Sequence, residues 1–292
     1  MEETYFYHSF PRTRKDQSKE AETALAFEVL TLVMRLGLLL VPEMQTVGGV
    51  ELCQGRICFT ALAPRELPKH AARFGLFALE YHCEDLMNFG ALPAIYLPDR
   101  LGGVHDIGDA GVRFLQGLDQ LKSAIEILKD AKDPVVYQII AALGGNKGIL
   151  HNLVWVPVIA QNLFYPAGST KYAKTGLLGY YEQREWKIIN NFPRVEKDGN
   201  VVWDFKELTA DDKLMIVEKN AWFAGELSPG VRRIDRCQLL IKVGNISVVD
   251  KIRRIIVPRE HIVKAKNIVN ERVPVVALED VADLGNENGA GI

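Results

Sequence analysis

Two short segments far apart in the chain carry residue types that can do chemistry together. Tyr5-Phe6-Tyr7-His8-Ser9-Phe10 reads as an aromatic-rich strand with one histidine, and Gln183-Arg184-Glu185-Trp186-Lys187 sets Gln-x-Glu at the start of another strand. A histidine and a glutamate from separate strands can face one cleft. Breaking a bond to ribose leaves an oxocarbenium-like sugar, and a carboxylate beside the ribose hydroxyls stabilises that charge, as in glycoside hydrolysis. A neutral histidine can hydrogen-bond a ribose hydroxyl without setting a full positive charge next to the cation. The same residues have a plainer use: the histidine as a packed strand residue, and Glu182 and Glu185 as partners of Arg184 and Lys187 in surface ion pairs worth at most about 1 kcal/mol each.

The elements that must position these residues follow from local pattern. Residues 4–10 predict a strand, and Phe27, Leu30 and Met34 mark a helix from about Lys19 to Arg35 that Gly37 stops. Strands are predicted at Arg56–Thr60, Phe77–Tyr81 and Pro93–Leu97, with a helical turn opened by Pro64 and a short helix from Glu84 to Phe89 ended by Gly90. Phe114, Leu118, Leu121, Ile125 and Leu128 alternate four and three apart and are followed by a helical run from Val135 to Leu143, so about 105–150 reads as a helical insertion. Leu153–Ile159 favours a strand, Asp198-Gly199 suits a primed hairpin turn, and Gln238–Val243 and Arg253–Val257 are further strands. Pro258 opens a last helix through about Asn270, and 285–292 reads as a disordered tail. The expected fold is α/β (α+β): one mixed β-sheet domain over 1–292 with the helical insertion.

Composition narrows the setting. The four cysteines, Cys53, Cys58, Cys83 and Cys237, form no Cys-x-x-Cys pair, which points to reduced thiols, no metal and a cytoplasmic protein. The apolar runs are too short to span a bilayer, so no membrane association is expected. A net charge of −2 argues against coating nucleic acid by bulk electrostatics. Two basic clusters, Arg232, Arg233 and Arg236, and Lys251, Arg253 and Arg254, could still flank a groove and contact phosphates.

Tyr7-His8, Arg35-Leu36-Gly37, Cys58-Phe59-Thr60, Phe74-Gly75-Leu76-Phe77, the Gly90-Ala91-Leu92-Pro93-Ala94-Ile95-Tyr96 segment, Glu182-Gln183-Arg184-Glu185-Trp186 and Ile255-Ile256-Val257-Pro258 occur in an order that resembles the AbiGi-type abortive phage-resistance family over most of the chain. The opening histidine strand and Gln183-x-Glu185 are also similar, more distantly, to ADP-ribosyltransferases of the diverse, DarT-like kind. That resemblance implies an ADP-ribosyltransferase-like domain and NAD as substrate. It gives His8 the nicotinamide ribose, Glu185 the reacting ribose, Gln183 the acceptor, and one of Thr60, Phe77 and Tyr81 the packing of nicotinamide. The implied function is an abortive-infection toxin that moves ADP-ribose to a macromolecule, with RNA favoured over DNA or protein. Some AbiGi-type proteins are described as antitoxins, so a non-catalytic partner of a cognate toxin is the alternative. A metal-dependent nucleic-acid-processing enzyme ranks last, because Asp211-Asp212 and Glu182 with Glu185 lack a further spaced acidic partner.

Overall fold

The computed structural model describes residues 3–11, 18–47, 50–97, 164–166, 184–190, 194–195, 201–202 and 204–283, with scattered helical positions between 116 and 163. The chain forms two compact units, one of Met1–Glu43, Cys53–Leu92 and Arg184–Ile292, the other of Met44–Leu52 and Pro93–Gln183. In the second, Ile95–Leu97 pairs in parallel with Phe164–Pro166, and every described position between 105 and 150 is helical. Gln183, Leu153–Ile159, the Asp198-Gly199 turn and the tail lie outside the described residues. Val201 and Val202 pair antiparallel with Val195 and Arg194.

A large mixed sheet and several helices make the described fold α/β. Its ten strands are β1 (Tyr5–Phe10), β2 (Leu38–Val47), β3 (Val50–Leu62), β4 (Phe77–His82), β5 (Leu92–Pro93), β6 (Glu185–Ile189), β7 (Phe205–Glu207), β8 (Gln238–Leu240), β9 (Arg254–Val257) and β10 (Val275–Ala277). They run in the order β7-β8-β2-β3-β1-β4-β9-β10, with β6 paired to β3 and β5. The helices whose bounds are described are α1 (Lys19–Leu36), α2 (Leu67–Phe74), α3 (Cys83–Asn88), α4 (Ala210–Lys219) and α5 (Ile262–Val269). Among the described residues no helix is long and apolar enough to cross a membrane.

Local chemistry sets the element ends. Ser18 caps α1 by accepting the Ala21 N–H (3.2 Å). Gly37 ends it at φ 98°, its N–H bonded to the Val33 carbonyl, and a Cβ at that position would stand 2.7 Å from the Leu240 carbonyl oxygen. α2 ends at Gly75 (φ 126°), where a Cβ would meet the Phe10 and Pro11 backbone at 2.4–2.7 Å. That close approach lets α2 return over the end of β1.

Strand alternation sorts the core onto two faces. Phe6, Phe10, Ile57, Phe59, Phe77, Leu79 and Tyr81 pack with Phe27 and Leu30 of α1 and with Ala265 and Val269 of α5. Tyr5, Tyr7, Leu62, Ala78 and Ile256 pack on the other side with Leu67 and Ala71 of α2 and with Leu278 and Val281. Each large side chain taken fully from water contributes about 1.5–3 kcal/mol.

Two sequence expectations are corrected here. Phe77 and Tyr81, candidates for packing nicotinamide, are 1% and 0% exposed inside the first core. Phe77 stacks at a tilt on Phe27 (5.0 Å) and Tyr81 lies edge-on to Phe59 (5.9 Å). The Tyr81 hydroxyl is buried with no hydrogen-bond partner among the described residues, and burial raises its pKa. Removing an unpaired buried hydroxyl relieves a desolvation cost of about 1–3 kcal/mol. Tyr81→Phe is therefore expected to unfold at higher denaturant concentration than wild type; a lower midpoint at unchanged slope would show that the hydroxyl is paired.

Candidate functional site

Three neighbouring strands decide what the candidate residues can reach. β6 lies antiparallel to β3 with Thr60 opposite Glu185, Phe59 opposite Trp186 and Cys58 opposite Lys187. β3 sets Thr60 opposite Tyr7 of β1, and β1 sets Tyr7 opposite Glu80 of β4. Directly paired residues share a face, so Glu185, Thr60, Tyr7 and Glu80 form one row across four strands. Cys58 and Lys187 form the next row on that face, and Ser9, two residues beyond Tyr7, shares it.

His8 does not join them. One residue away from Tyr7, it points to the opposite face from Glu185, which corrects the expected His8–Glu185 cleft. There its ring stacks on Phe10 (5.9 Å) and tilts against Phe59 (5.6 Å). Its Nδ1 lies 2.8 Å from the Cys58 carbonyl; a carbonyl can only accept, so the proton is on Nδ1. Burial holds the imidazole pKa below the ordinary histidine value. The side chain ties β1 to β3.

Glu185 sits in a small charged cluster. Lys187 Nζ is 3.7 Å from its Oε2, and the Glu185 side chain is 18% exposed against 4% for Lys187. The ammonium is thus sealed under the sheet face while the carboxylate reaches its edge. Burial lowers the Lys187 pKa, with the Cys58 and Glu185 charges acting the other way. The Cys58 thiol hydrogen-bonds Glu185, and burial followed by the Glu185 charge pushes it up to about 11. At neutral pH it is a protonated donor to the carboxylate and a poor nucleophile.

A second polar pair completes the face. Ser9 Oγ and His70 Nδ1 are 3.3 Å apart, and the His70 ring stacks on Phe74 at 4.4 Å. Both polar side chains are half-buried. Burial, then the Arg184 and Arg73 charges, push His70 down to about 4. An unfolded histidine titrates near 6.5, so between these values the unfolded chain binds more protons than the native one. Stability is full above about pH 6.5 and falls as the pH drops through the window toward 4, by up to ~3 kcal/mol at 1.36 kcal/mol per pKa unit. Urea unfolding of wild type and His70→Gln at pH 7 and pH 4.5 checks this: the variant should show the shallower acid loss, and equal losses would show that another group titrates. Burial depresses His8 in the same direction, so a residual slope is expected in the variant.

The basic clusters are mostly engaged with the protein itself. Arg253 Nη1 donates to Glu80 Oε1 (2.6 Å), and Arg254 grips both Glu80 oxygens through Nε (2.7 Å) and Nη2 (2.9 Å). Lys251 pairs with Asp85 at 2.8 Å. The 251–254 cluster is therefore corrected from a phosphate-contacting row to a set of internal ion pairs, because β9 lies beside β4 with Arg254 opposite Glu80. Arg232 is bidentate to Asp235 (2.9 and 3.1 Å), Arg233 lies 4.6 Å over the Trp222 ring, and Arg236 is exposed. In this cluster Arg232 and Arg236 are exposed and Arg233 is half-buried.

Of the expected site residues, the structure brings together Thr60 and Glu185, and sets His8, Phe77 and Tyr81 on the other face. Ser9, Cys58, His70 and Lys187 join the site without a motif in the sequence. The alternation Tyr5-Tyr7-Ser9 against Phe6-His8-Phe10 is the signal that could have placed Ser9; no short-range spacing marks His70. Among the described residues no group of three or more His, Cys, Asp or Glu is placed to hold a metal ion. Comparison with family models, curated proteins and solved structures found no match.

Proposed function

We propose that this chain transfers ADP-ribose from NAD to a macromolecule, as a toxin of abortive phage defence, with Glu185 stabilising the ribosyl cation. The observation that carries the reading is Thr60 directly opposite Glu185 on a half-open polar face, where β6, β3 and β1 are consecutive neighbours. Of the three NAD contacts that the resemblance implies, two, Thr60 on β3 and Glu185 on β6, share this face. At about 4.8 Å between neighbouring strands, a ribose reaches both. In this reading the sheet is an ADP-ribosyltransferase-like domain, Thr60 takes the middle position, and His8 braces β1 against β3 from behind. The C1–nitrogen bond breaks with its electrons going to nicotinamide, which leaves neutral; an acceptor hydroxyl or amine then bonds C1 and gives up its proton.

RNA is the favoured acceptor, because half-buried Arg233 lies over the Trp222 ring, which is 38% exposed, with exposed Arg232 and Arg236 nearby in sequence, and an aromatic face with cations suits single-stranded nucleic acid. Radiolabelled NAD incubated with the purified chain and separate pools of RNA, DNA and cell protein tests the reading. Label is expected in one pool. No label and no nicotinamide release, with a cognate partner supplied, would replace it with the antitoxin reading.

A further inference from the structure

We propose that Arg184 and Glu66 form a latch that positions the Glu185 carboxylate. Arg184 immediately precedes Glu185 and holds φ 42°, the left-handed region that a non-glycine residue keeps only where its surroundings enforce it. Two contacts enforce it. Its carbonyl accepts the Ala61 N–H (3.0 Å), and its guanidinium donates to Glu66 Oε1 (2.6 Å). Glu66 is itself pinned, because its Oε2 accepts the Ala63 N–H (2.9 Å). The six residues that follow Thr60 thus hold the residue before Glu185 at both backbone and side chain, and Glu185 is thereby set opposite Thr60.

The two side chains are 41% and 39% exposed, and an exposed pair of this kind adds little to global stability. Its consequence is local. With the latch open, the turn relaxes toward ordinary backbone, the Glu185 carboxylate swings off Cys58, and the thiol loses both cover and the negative neighbour that raises its pKa.

Cys58 alkylation by iodoacetamide reads this directly, followed by peptide mapping with Cys83 as the internal reference. Glu66→Gln and Arg184→Gln are expected to speed Cys58 modification by roughly tenfold through local opening, with the melting temperature nearly unchanged. Arg184→Lys and the double swap Glu66→Arg/Arg184→Glu should return the rate to within about threefold of wild type, since both restore the charge pair. Wild-type rates in both single variants, or a swap as reactive as the singles, would overturn the latch. The consequence for catalysis rests on the transferase reading: kcat for nicotinamide release falls by at least roughly tenfold at unchanged KM, because the carboxylate is misplaced only with respect to the transition state. The alkylation assay needs no NAD, so a chain that turns over no NAD ends the transferase reading while the latch is still decided by Cys58.

Discussion

Glu185→Gln is expected to lower NAD-dependent label transfer by at least roughly a hundredfold, the usual cost of removing one preorganised electrostatic contact to a transition state. Glutamine keeps the shape and an oxygen that can accept from the Cys58 thiol, and removes the charge that the developing ribosyl cation needs. The loss should fall on kcat with NAD affinity nearly unchanged, since ground-state NAD carries no such cation at the sugar. Lys187 loses its carboxylate neighbour in the variant, and its side chain is 4% exposed, so some stability is lost as well. Pairing the substitution with Lys187→Met removes the buried ammonium beside the lost charge and separates folding from chemistry. Nicotinamide release, NAD titration calorimetry and urea unfolding on the single and double variants make the test. A stably folded Glu185→Gln protein that transfers label at the wild-type rate would end the proposed mechanism.

The second large effect is on folding. Glu80 is 0% exposed and holds four hydrogen bonds: from Tyr7 (2.8 Å), Arg253 and both nitrogens of the Arg254 fork. The Tyr5 ring closes one side, 4.3 Å under the Arg253 guanidinium. Removing the carboxylate takes away the anion that both guanidiniums share, one of them with its side chain only 11% exposed. Breaking such a buried pair costs about 3–5 kcal/mol, a large part of a typical domain's 5–15 kcal/mol. Glu80→Ala should accordingly be partly unfolded at room temperature, while Arg253→Ala, with its side chain 25% exposed and Arg254 still in place, should cost only about 1 kcal/mol. Urea titration of the two variants ranks them; a Glu80→Ala midpoint within about 1 kcal/mol of wild type would show that the cluster is not buried as described.

Local elements were legible because their signals are local. Ser18 and Gly37 bracket α1 through caps that involve residues three or four away. Phe77–Tyr81 and Arg253–Val257 show β-favouring runs, and the structure places strands at Phe77–His82 and Arg254–Val257. Glu185 was visible at the start of its strand, and that is where β6 begins. The basic clusters illustrate the opposite case. Arg253 and Arg254 look like surface cations in the sequence, yet their partner Glu80 lies more than 170 residues earlier. No window of neighbouring residues carries that information.

By itself the sequence determined the kinds of element and which residue types each carries: an aromatic strand with His8, a helix stopped at Gly37, a strand opening on Glu185. Those depend on backbone preference and nearest neighbours. The tertiary structure alone decided which side chains meet. A strand has a period of two, so the register that sets Tyr7 opposite Thr60 sends Tyr7 toward Glu185 and turns His8 away, and a shift of one residue would reverse both. Ser9 meets His70 across 61 residues, Arg184 meets Glu66 across 118, and Arg254 meets Glu80 across 174. Each contact forms because packing two layers of helix on one sheet brings distant segments to the same face, and that cooperative choice has no local signature.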